Sequence, residues 1–200
     1  QGQPYAAYAA AQMYNKGEYV SKDENQAQEY YKQALAGFLE LESKNQADDN
    51  LFYKIGIMYK NGLGTDIDMD KAINYFMRSA ELNNTNAKRT IALEYLSGKH
   101  LEQDIEKGLE MLTECADRGD IMSCYKLGKI YFKGEIVYKD LNTAEKYFLK
   151  ASEKENQYAL YSLGTLYLEK EKYNIDKAVK YLKKMVDYLK KALIYGHTSR

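Results

Sequence analysis

Two stretches of this sequence share one design, Ile55-Gly56-Ile57-Met58-Tyr59-Lys60-Asn61-Gly62 and Leu127-Gly128-Lys129-Ile130-Tyr131-Phe132-Lys133-Gly134. In both, a glycine stands three residues before a tyrosine and a second glycine stands three residues after it. The tyrosine recurs along the chain with spacings of 45, 36, 36 and 36 residues, as Tyr14, Tyr59, Tyr95, Tyr131 and Tyr167. A fixed period between about 20 and 50 residues indicates a solenoid, in which each repeat stacks on its neighbours.

The pattern within one period predicts two helices, which we name helix A and helix B. Between residues 121 and 133, Cys124, Leu127, Gly128 and Tyr131 follow the i, i+3, i+4, i+7 spacing of one helical face, and this segment is helix A. An aspartate four residues before a small residue then marks the start of helix B in four repeats, at Asp23, Asp68, Asp104 and Asp140. An aspartate at an N-cap accepts hydrogen bonds from the unpaired amides of the first helical turn.

The columns of residues that stay similar between repeats predict how the helices pack. A small residue recurs three positions before each repeated tyrosine, at Ala11, Gly56, Ala92, Gly128 and Gly164. We expect a neighbouring helix to approach closely there, which offsets the helix penalty of glycine, about 1 kcal/mol. The tyrosine columns, including that of Tyr8, Tyr53, Tyr125 and Tyr161, are expected to fill the space between helices.

The repeat boundaries are predicted at residues 3–47, 48–83, 84–119, 120–155 and 156–197, which together form one repeat domain. The first repeat has nine extra residues, placed between residues 31 and 49, and the fifth has about seven between residues 178 and 192. The fifth repeat also has Lys170 in place of the turn glycine. Gly2 stands twelve residues before Tyr14, as Gly119 does before Tyr131, so we expect the chain to be a slice of a longer protein.

Residues 55–62 with 71–80, and residues 127–134 with 144–151, resemble the Sel-one-like repeat (SLR) family, a relative of the tetratricopeptide repeat. Five copies in phase carry this resemblance over essentially the whole chain. It implies an all-α, right-handed α/α superhelical solenoid of about five helix-turn-helix repeats. It also implies an adaptor or scaffold for protein complexes with no catalysis of its own. The tetratricopeptide repeat itself, with a unit of about 34 residues, fits less well.

Partner choice is expected in columns that vary between repeats and lie together on one face of helix A. Three such columns, spaced i, i+3 and i+7, lie away from the face predicted to pack on helix B, and they predict a concave binding surface. The candidate residues are Gln12, Lys16, Lys54, Ile57, Asn61, Thr90, Leu93, Lys126, Lys129, Lys133, Ser162 and Thr165. The alternative for any one of them is an ordinary solvated side chain.

Charge gives no general case for nucleic acid, because 29 basic residues balance 29 acidic ones. Residues 170–191 nevertheless hold eight lysines and three acidic residues. Lys180, Lys184 and Lys191 could contact phosphates there, although a run of lysines usually marks a solvated helix face. No stretch is apolar enough to span a membrane.

The sequence predicts no catalytic, cofactor or metal site. It contains no GxGxxG, P-loop, HExxH or GxSxG motif. Cys115 and Cys124 form no CxxC and no ligand cluster with the histidines, His100 and His197. Cys115 falls in a column of small residues and is expected to be buried. His100 has two acidic residues nearby in sequence and no third ligand type, and Asp104 is more simply an N-cap.

We therefore expect a non-catalytic scaffold that binds a protein or peptide on helix A, without cofactor, in the cytoplasm. The alternative is the accessory C-terminal arm of a larger enzyme. The Lys, Asn and Tyr richness suits an AT-rich Gram-positive genome, where such repeats occur on DNA relaxases of mobile elements.

Overall fold

The computed structural model describes residues 2–154, 156–170 and 174–197, the last six of these by their backbone alone. The described residues form ten α-helices and no strand. Their bounds are α1 Gln3–Lys16, α2 Glu24–Ser43, α3 Asp49–Asn61, α4 Met69–Glu81, α5 Thr85–Ser97, α6 Ile105–Asp117, α7 Ile121–Lys133, α8 Leu141–Ser152, α9 Gln157–Glu169 and α10 Ile175–His197. Odd-numbered helices are helix A and even-numbered helices are helix B, which confirms the predicted all-α repeat solenoid.

Two compact units divide the chain, Gln1–Gln103 and Asp104–Arg200, and the boundary falls in the third repeat. In the first unit, α1 packs on α2, α3 on α4, and α4 also on α5. In the second, α6 packs on α7, α7 on α8, α8 on α9, and α9 on α10. Helices α4 and α8, each a helix B, therefore contact helix A of their own repeat and helix A of the next repeat.

The predicted N-caps of helix B are confirmed. The carboxylates of Asp23, Asp68, Asp104 and Asp140 accept hydrogen bonds from the first turns of α2, α4, α6 and α8. The turn from helix A ends on glycines in the left-handed region, with φ between 64° and 73° at Gly17, Gly62, Gly98 and Gly134. The amides of Asp23, Asp68 and Asp140 then donate to the carbonyls of Tyr14, Tyr59 and Tyr131. This bond accounts for the nine-residue offset between the tyrosine and the aspartate.

The small-residue column marks close approach between helix A and helix B. A Cβ atom added at Gly128 would lie 2.5 Å from the Phe148 ring, and one added at Gly56 would lie 2.7 Å from the Phe76 ring. At Gly164 the same atom would lie 2.7 Å from the side chain of Leu182. Contacts under 3.0 Å essentially never occur for real Cβ atoms. The predicted reason for these small residues is therefore correct for all three glycines.

The repeated tyrosine of helix A stacks on a tyrosine of helix B in four repeats. The ring centroids lie 5.6 to 6.1 Å apart, with interplanar angles of 9° to 15°, in the pairs Tyr14–Tyr30, Tyr59–Tyr75, Tyr131–Tyr147 and Tyr167–Tyr181. Offset-stacked rings stabilise such a pair beyond the area that they bury. These columns thus maintain the packing within four of the five repeats, as predicted.

The extra residues of the first repeat extend its helix B. Helix α2 has 20 residues, whereas α4 has 13. The extension carries Glu42, which accepts a hydrogen bond of 2.7 Å from the Tyr75 hydroxyl and forms an ion pair with Arg78. The Arg78 guanidinium also lies 4.1 Å from the centroid of the Phe52 ring. The insertion therefore joins the first repeat to the second through a half-buried network.

The fifth repeat departs from the others as its sequence predicted. Helix α9 ends at Glu169 and α10 begins at Ile175, and Lys170 rather than glycine caps α9 with an extended backbone. The Lys170 ammonium and the Tyr167 hydroxyl both donate to the Glu145 carboxylate on α8. Burial alone would raise the pKa of Glu145, but these two bonds and the positive charges of Lys170 and Lys177 together outweigh burial and lower it. Helix α10 has 23 residues, so the extra segment lengthens helix B.

The remaining expectations from the sequence concern the two cysteines, the two histidines and Gly2. Cys115 is fully buried, as expected, and Cys124 is also buried. His100 Nδ1 lies 2.9 Å from the Glu94 carboxylate, which belongs to α5. Gly2 and Gly119 differ in backbone conformation, with φ values of −77° and 87°. The side chain of His197 lies outside the described residues.

Candidate protein-interaction surface

In the first unit, the candidate residues of helix A lie at the surface. Gln12, Lys16 and Asn61 are exposed, and Lys54, Ile57, Thr90 and Leu93 are half-buried. By contrast, Leu51 and Ile55 of α3 are almost fully buried. Each helix A therefore has a buried face and a variable face that reaches solvent.

The variable faces of α1 and α3 are adjacent. The Lys54 ammonium of α3 lies 5.2 Å from the centroid of the Tyr8 ring of α1. Burial raises the pKa of Tyr8, and the neighbouring Tyr53 raises it further. Tyr8 also packs edge-on against Tyr31 of α2 at 5.5 Å. The first unit thus presents lysine and tyrosine side chains from consecutive helices A on one surface.

In the second unit, the candidate residues lie on α7 and α9. Lys133 is exposed, and Lys126, Lys129, Ser162 and Thr165 are half-buried. Lys133 forms an ion pair of 3.1 Å with Glu135, in the turn that follows α7. The Thr165 hydroxyl donates a hydrogen bond of 2.9 Å to the Ser162 carbonyl. None of these five side chains belongs to the core.

The half-buried Tyr125 of α7 has both a lysine and an exposed tyrosine as neighbours. The Tyr125 ring on α7 lies 5.9 Å from the Tyr158 ring on α9, and the Lys129 ammonium lies 5.9 Å from the Tyr125 centroid. Tyr158 and Tyr161 are 57% and 55% exposed. We name Tyr125, Lys126, Lys129, Tyr158 and Tyr161 the Tyr–Lys patch.

The prediction that the column of Tyr161 fills the space between helices is wrong for Tyr161 itself. Tyr53 and Tyr125 pack against the phenylalanines of helix B, Phe76 and Phe148, at 5.5 and 6.1 Å. In the fifth repeat the corresponding residue of helix B is Leu182, which packs against Gly164 and offers no ring to Tyr161.

Sequence reasoning also missed Tyr158, although a signal was present. The same position in the other repeats is Tyr5, Asn50, Asn86 and Met122. A column that changes between polar and apolar residues in this way does not maintain the stack, so a tyrosine in it is expected at the surface. Tyrosine is one of the residues that most often dominate the free energy of protein–protein binding.

The lysines predicted as an alternative nucleic-acid contact lie on α10. Lys180, Lys184 and Lys191 are exposed. The ammonium groups of Lys180 and Lys184 lie 5.9 and 5.7 Å from the Tyr181 centroid. Lys172 of the same run lies outside the described residues.

Within the described parts of the chain, no three His, Cys, Asp or Glu side chains are grouped so that they could hold a metal ion. Among the helices of residues 2–154, 156–170 and 174–197, none combines the length and the apolar character needed to cross a bilayer.

Comparisons with known proteins match these repeats to one family. The family model described as Sel1 repeat matches residues 4–37, 53–84, 91–120, 121–156 and 157–187. A comparison with curated proteins gave no match.

Solved structures show the same fold at low identity. The Sel1 repeat protein from Oxalobacter formigenes is 24% identical, with a TM-score of 0.71 over 92% of this chain and 73% of that protein. A protective antigen with an SLR fold, from uropathogenic Escherichia coli, is 22% identical, with a TM-score of 0.67 over 94% of this chain and 39% of that protein. Immunity protein Pa5087 from Pseudomonas aeruginosa is 17% identical, with a TM-score of 0.59 over 92% of this chain and 68% of that protein.

Proposed function

Because this chain belongs to the Sel1 repeat family, whose members are commonly protein-interaction scaffolds, we propose that it is a non-catalytic scaffold that binds a protein partner on the variable face of helix A. The observation that carries the proposal is the Tyr–Lys patch, where the Lys129 ammonium and the ring of Tyr158, which is more than half exposed, both lie 5.9 Å from the Tyr125 ring. Isolated apolar side chains at a surface are ordinary, but clustered tyrosines are typical of binding hot spots.

The chemistry of the patch suggests an acidic segment as the ligand. Lys126 and Lys129 take part in no ion pair among the described residues, and the Lys129 ammonium instead lies over a tyrosine ring. Carboxylates of a partner could therefore pair with both lysines without displacing an existing acidic neighbour. Complementary charge of this kind sets mainly the association rate and the choice of partner.

Two charge-reversal variants test which surface binds. Lys126→Glu with Lys129→Glu changes the Tyr–Lys patch, and Lys180→Glu with Lys184→Glu changes two exposed lysines of α10 as the matched control. Affinity capture from the source lysate would identify a partner, and calorimetric titration of the purified partner would then compare the variants. We expect the first variant to weaken binding by roughly tenfold or more and the second to leave it nearly unchanged.

The opposite result would favour the accessory arm of a nucleic-acid enzyme. The scaffold proposal is wrong if only the α10 variant loses binding and the ligand is DNA, bound by the parent with an affinity that falls as salt concentration rises. Helical circular dichroism of both variants, compared with the parent, would separate lost binding from lost folding.

We also place this scaffold in the cytoplasm. The buried thiols of Cys115 and Cys124, which form no disulfide with each other, support a reducing compartment.

A further inference from the structure

Helix α10 exposes an apolar stripe along most of its length. Ile175, Val179, Val186 and Leu189 are 58%, 39%, 41% and 39% exposed. Leu182, in the middle of the stripe, is half-buried because it packs against Gly164 of α9. Between the stripe and the polar face, Val179, Leu182, Lys183, Val186, Asp187 and Lys190 line a groove of 440 Å³.

The same face is buried in an internal repeat. Ile73 and Ala80 of α4 have the same offsets from Ala72 as Val179 and Val186 have from Ala178, and they are only 6% and 7% exposed. The difference follows from the neighbours, because α4 packs on α3 and α5, whereas α10 packs on α9 among the described helices. The stripe is therefore a helix-packing face to which the described structure assigns no second helix.

The spacing of the stripe is that of a coiled-coil seam. Ile175, Val179, Leu182, Val186 and Leu189 are separated by four, three, four and three residues. In heptad notation, valine takes the a positions and Ile175 and the leucines take the d positions. Such a seam buries its apolar residues against a second helix with the same 3.5-residue period.

Three charged residues follow the seam at the e positions, namely Asp176, Lys183 and Lys190. They take part in no ion pair among the described residues. Other lysines of α10 are already engaged: the ammonium groups of Lys177, Lys180 and Lys184 lie 5.0 to 5.9 Å from tyrosine ring centroids. The charges beside the seam are thus available for contacts with another molecule.

We propose that the stripe of α10 packs against α10 of a second copy of this chain, with the two helices antiparallel. In an antiparallel pair the e positions of the two helices face each other. Asp176 then lies opposite Lys190 of the second copy, and the twofold axis repeats this contact. Lys183 lies at the axis, facing its own equivalent, so this one contact is repulsive. The surface differs from the Tyr–Lys patch, and the inference does not depend on the proposed function.

Sedimentation equilibrium of the purified chain over a wide concentration range tests this pairing. We expect a reversible monomer–dimer equilibrium in the parent. Val179→Asp with Val186→Asp places four carboxylates in the seam and should leave only monomer. Ile67→Asp, which changes a residue 67% exposed in the first unit, should dimerise like the parent.

The charged pairs provide a second test that changes no apolar residue. Asp176→Lys or Lys190→Asp alone should weaken dimerisation roughly 3- to 30-fold, because two symmetric pairs are lost. The double variant should recover the affinity of the parent. Lys183→Gln should tighten the dimer by removing the repulsion at the axis. Circular dichroism of each variant checks that the fold is retained.

A cysteine placed at the twofold axis tests whether the two α10 helices are antiparallel. In a Cys115→Ala, Cys124→Ser background, Lys183→Cys should form an intermolecular disulfide under mild oxidation, since only the antiparallel arrangement brings position 183 of both copies together. A chain that stays monomeric at all concentrations, or a dimer insensitive to the Val179 and Val186 changes, would overturn the proposal. Dimerisation without the disulfide would overturn its antiparallel orientation.

Discussion

Replacing Gly128 tests whether close approach of helices explains the small-residue column. In an exposed helix interior, alanine is more stable than glycine by about 1 kcal/mol. At Gly128 the added Cβ would lie 2.5 Å and 2.6 Å from two carbons of the Phe148 ring, which is fully buried. Relief of that overlap requires the ring or helix α7 to move within a packed core.

Overpacking of this kind costs about 1–3 kcal/mol, and the helix preference of alanine returns about 1 kcal/mol. The net expectation for Gly128→Ala is a loss of about 0–2 kcal/mol in the free energy of unfolding. Gly128→Leu adds three more carbons to the same contact and should lose more. Urea unfolding followed by circular dichroism at 222 nm measures both losses.

The matched control is Lys146, an exposed residue in the middle of α8 in the same repeat. There, the Lys146→Ala variant should be more stable than Lys146→Gly by about 1 kcal/mol, because no neighbour opposes a Cβ atom. Replacing glycine with alanine should therefore raise the free energy of unfolding by about 1 kcal/mol at position 146 and should not raise it at position 128. If alanine stabilises equally at 128 and 146, the helices are not in close contact at Gly128.

Three further predictions concern the networks and the thiols. Glu42→Ala should lower the free energy of unfolding by about 1–3 kcal/mol, because it leaves Arg78 and the Tyr75 hydroxyl without their acceptor; a chemical denaturation curve identical to that of the parent would contradict this. Burial and the hydrogen bond to Glu42 raise the pKa of Tyr75. The stability that neutral Tyr75 gives the folded state should therefore be fully present below about pH 10, the pKa of tyrosine in the unfolded chain, and should be lost as pH rises beyond it. Tyr75→Phe should reduce this loss of stability at alkaline pH. A Cys115→Ala, Cys124→Ser variant should keep its helical circular dichroism, and a chelator should not change the parent; stoichiometric zinc or collapse under reductant would refute the packing role.

Local features of the fold were predictable because they depend on neighbours in sequence. The aspartate N-caps and the glycine turns follow from backbone chemistry within a few residues, and a repeated column such as that of Gly56 indicates contact within one repeat. The N-caps of helix A, including Asp48 and Asp120, follow the same rule, although the sequence argument did not name them.

The remaining features depend on which side chains meet across longer separations. Glu42 reaches Tyr75 and Arg78 only because the insertion continues α2, and the length of an insertion does not specify its partners. The exposure of Tyr161 likewise depends on Leu182, about twenty residues away, where the first, second and fourth repeats have an aromatic residue. The candidate surface could be placed on helix A from its variability, but the tyrosines that distinguish it required the packed structure.

Site-specific photocrosslinking tests the central claim, that helix A of the repeats binds a protein partner, most directly. A photoreactive phenylalanine analogue at Ser162, on the variable face of α9, would be compared with the same analogue at Lys146, on the exposed face of α8. Irradiation in the source cells should give a discrete adduct with one protein at position 162 and none at position 146. An adduct that forms only at position 146 would contradict the assignment of the binding surface to helix A.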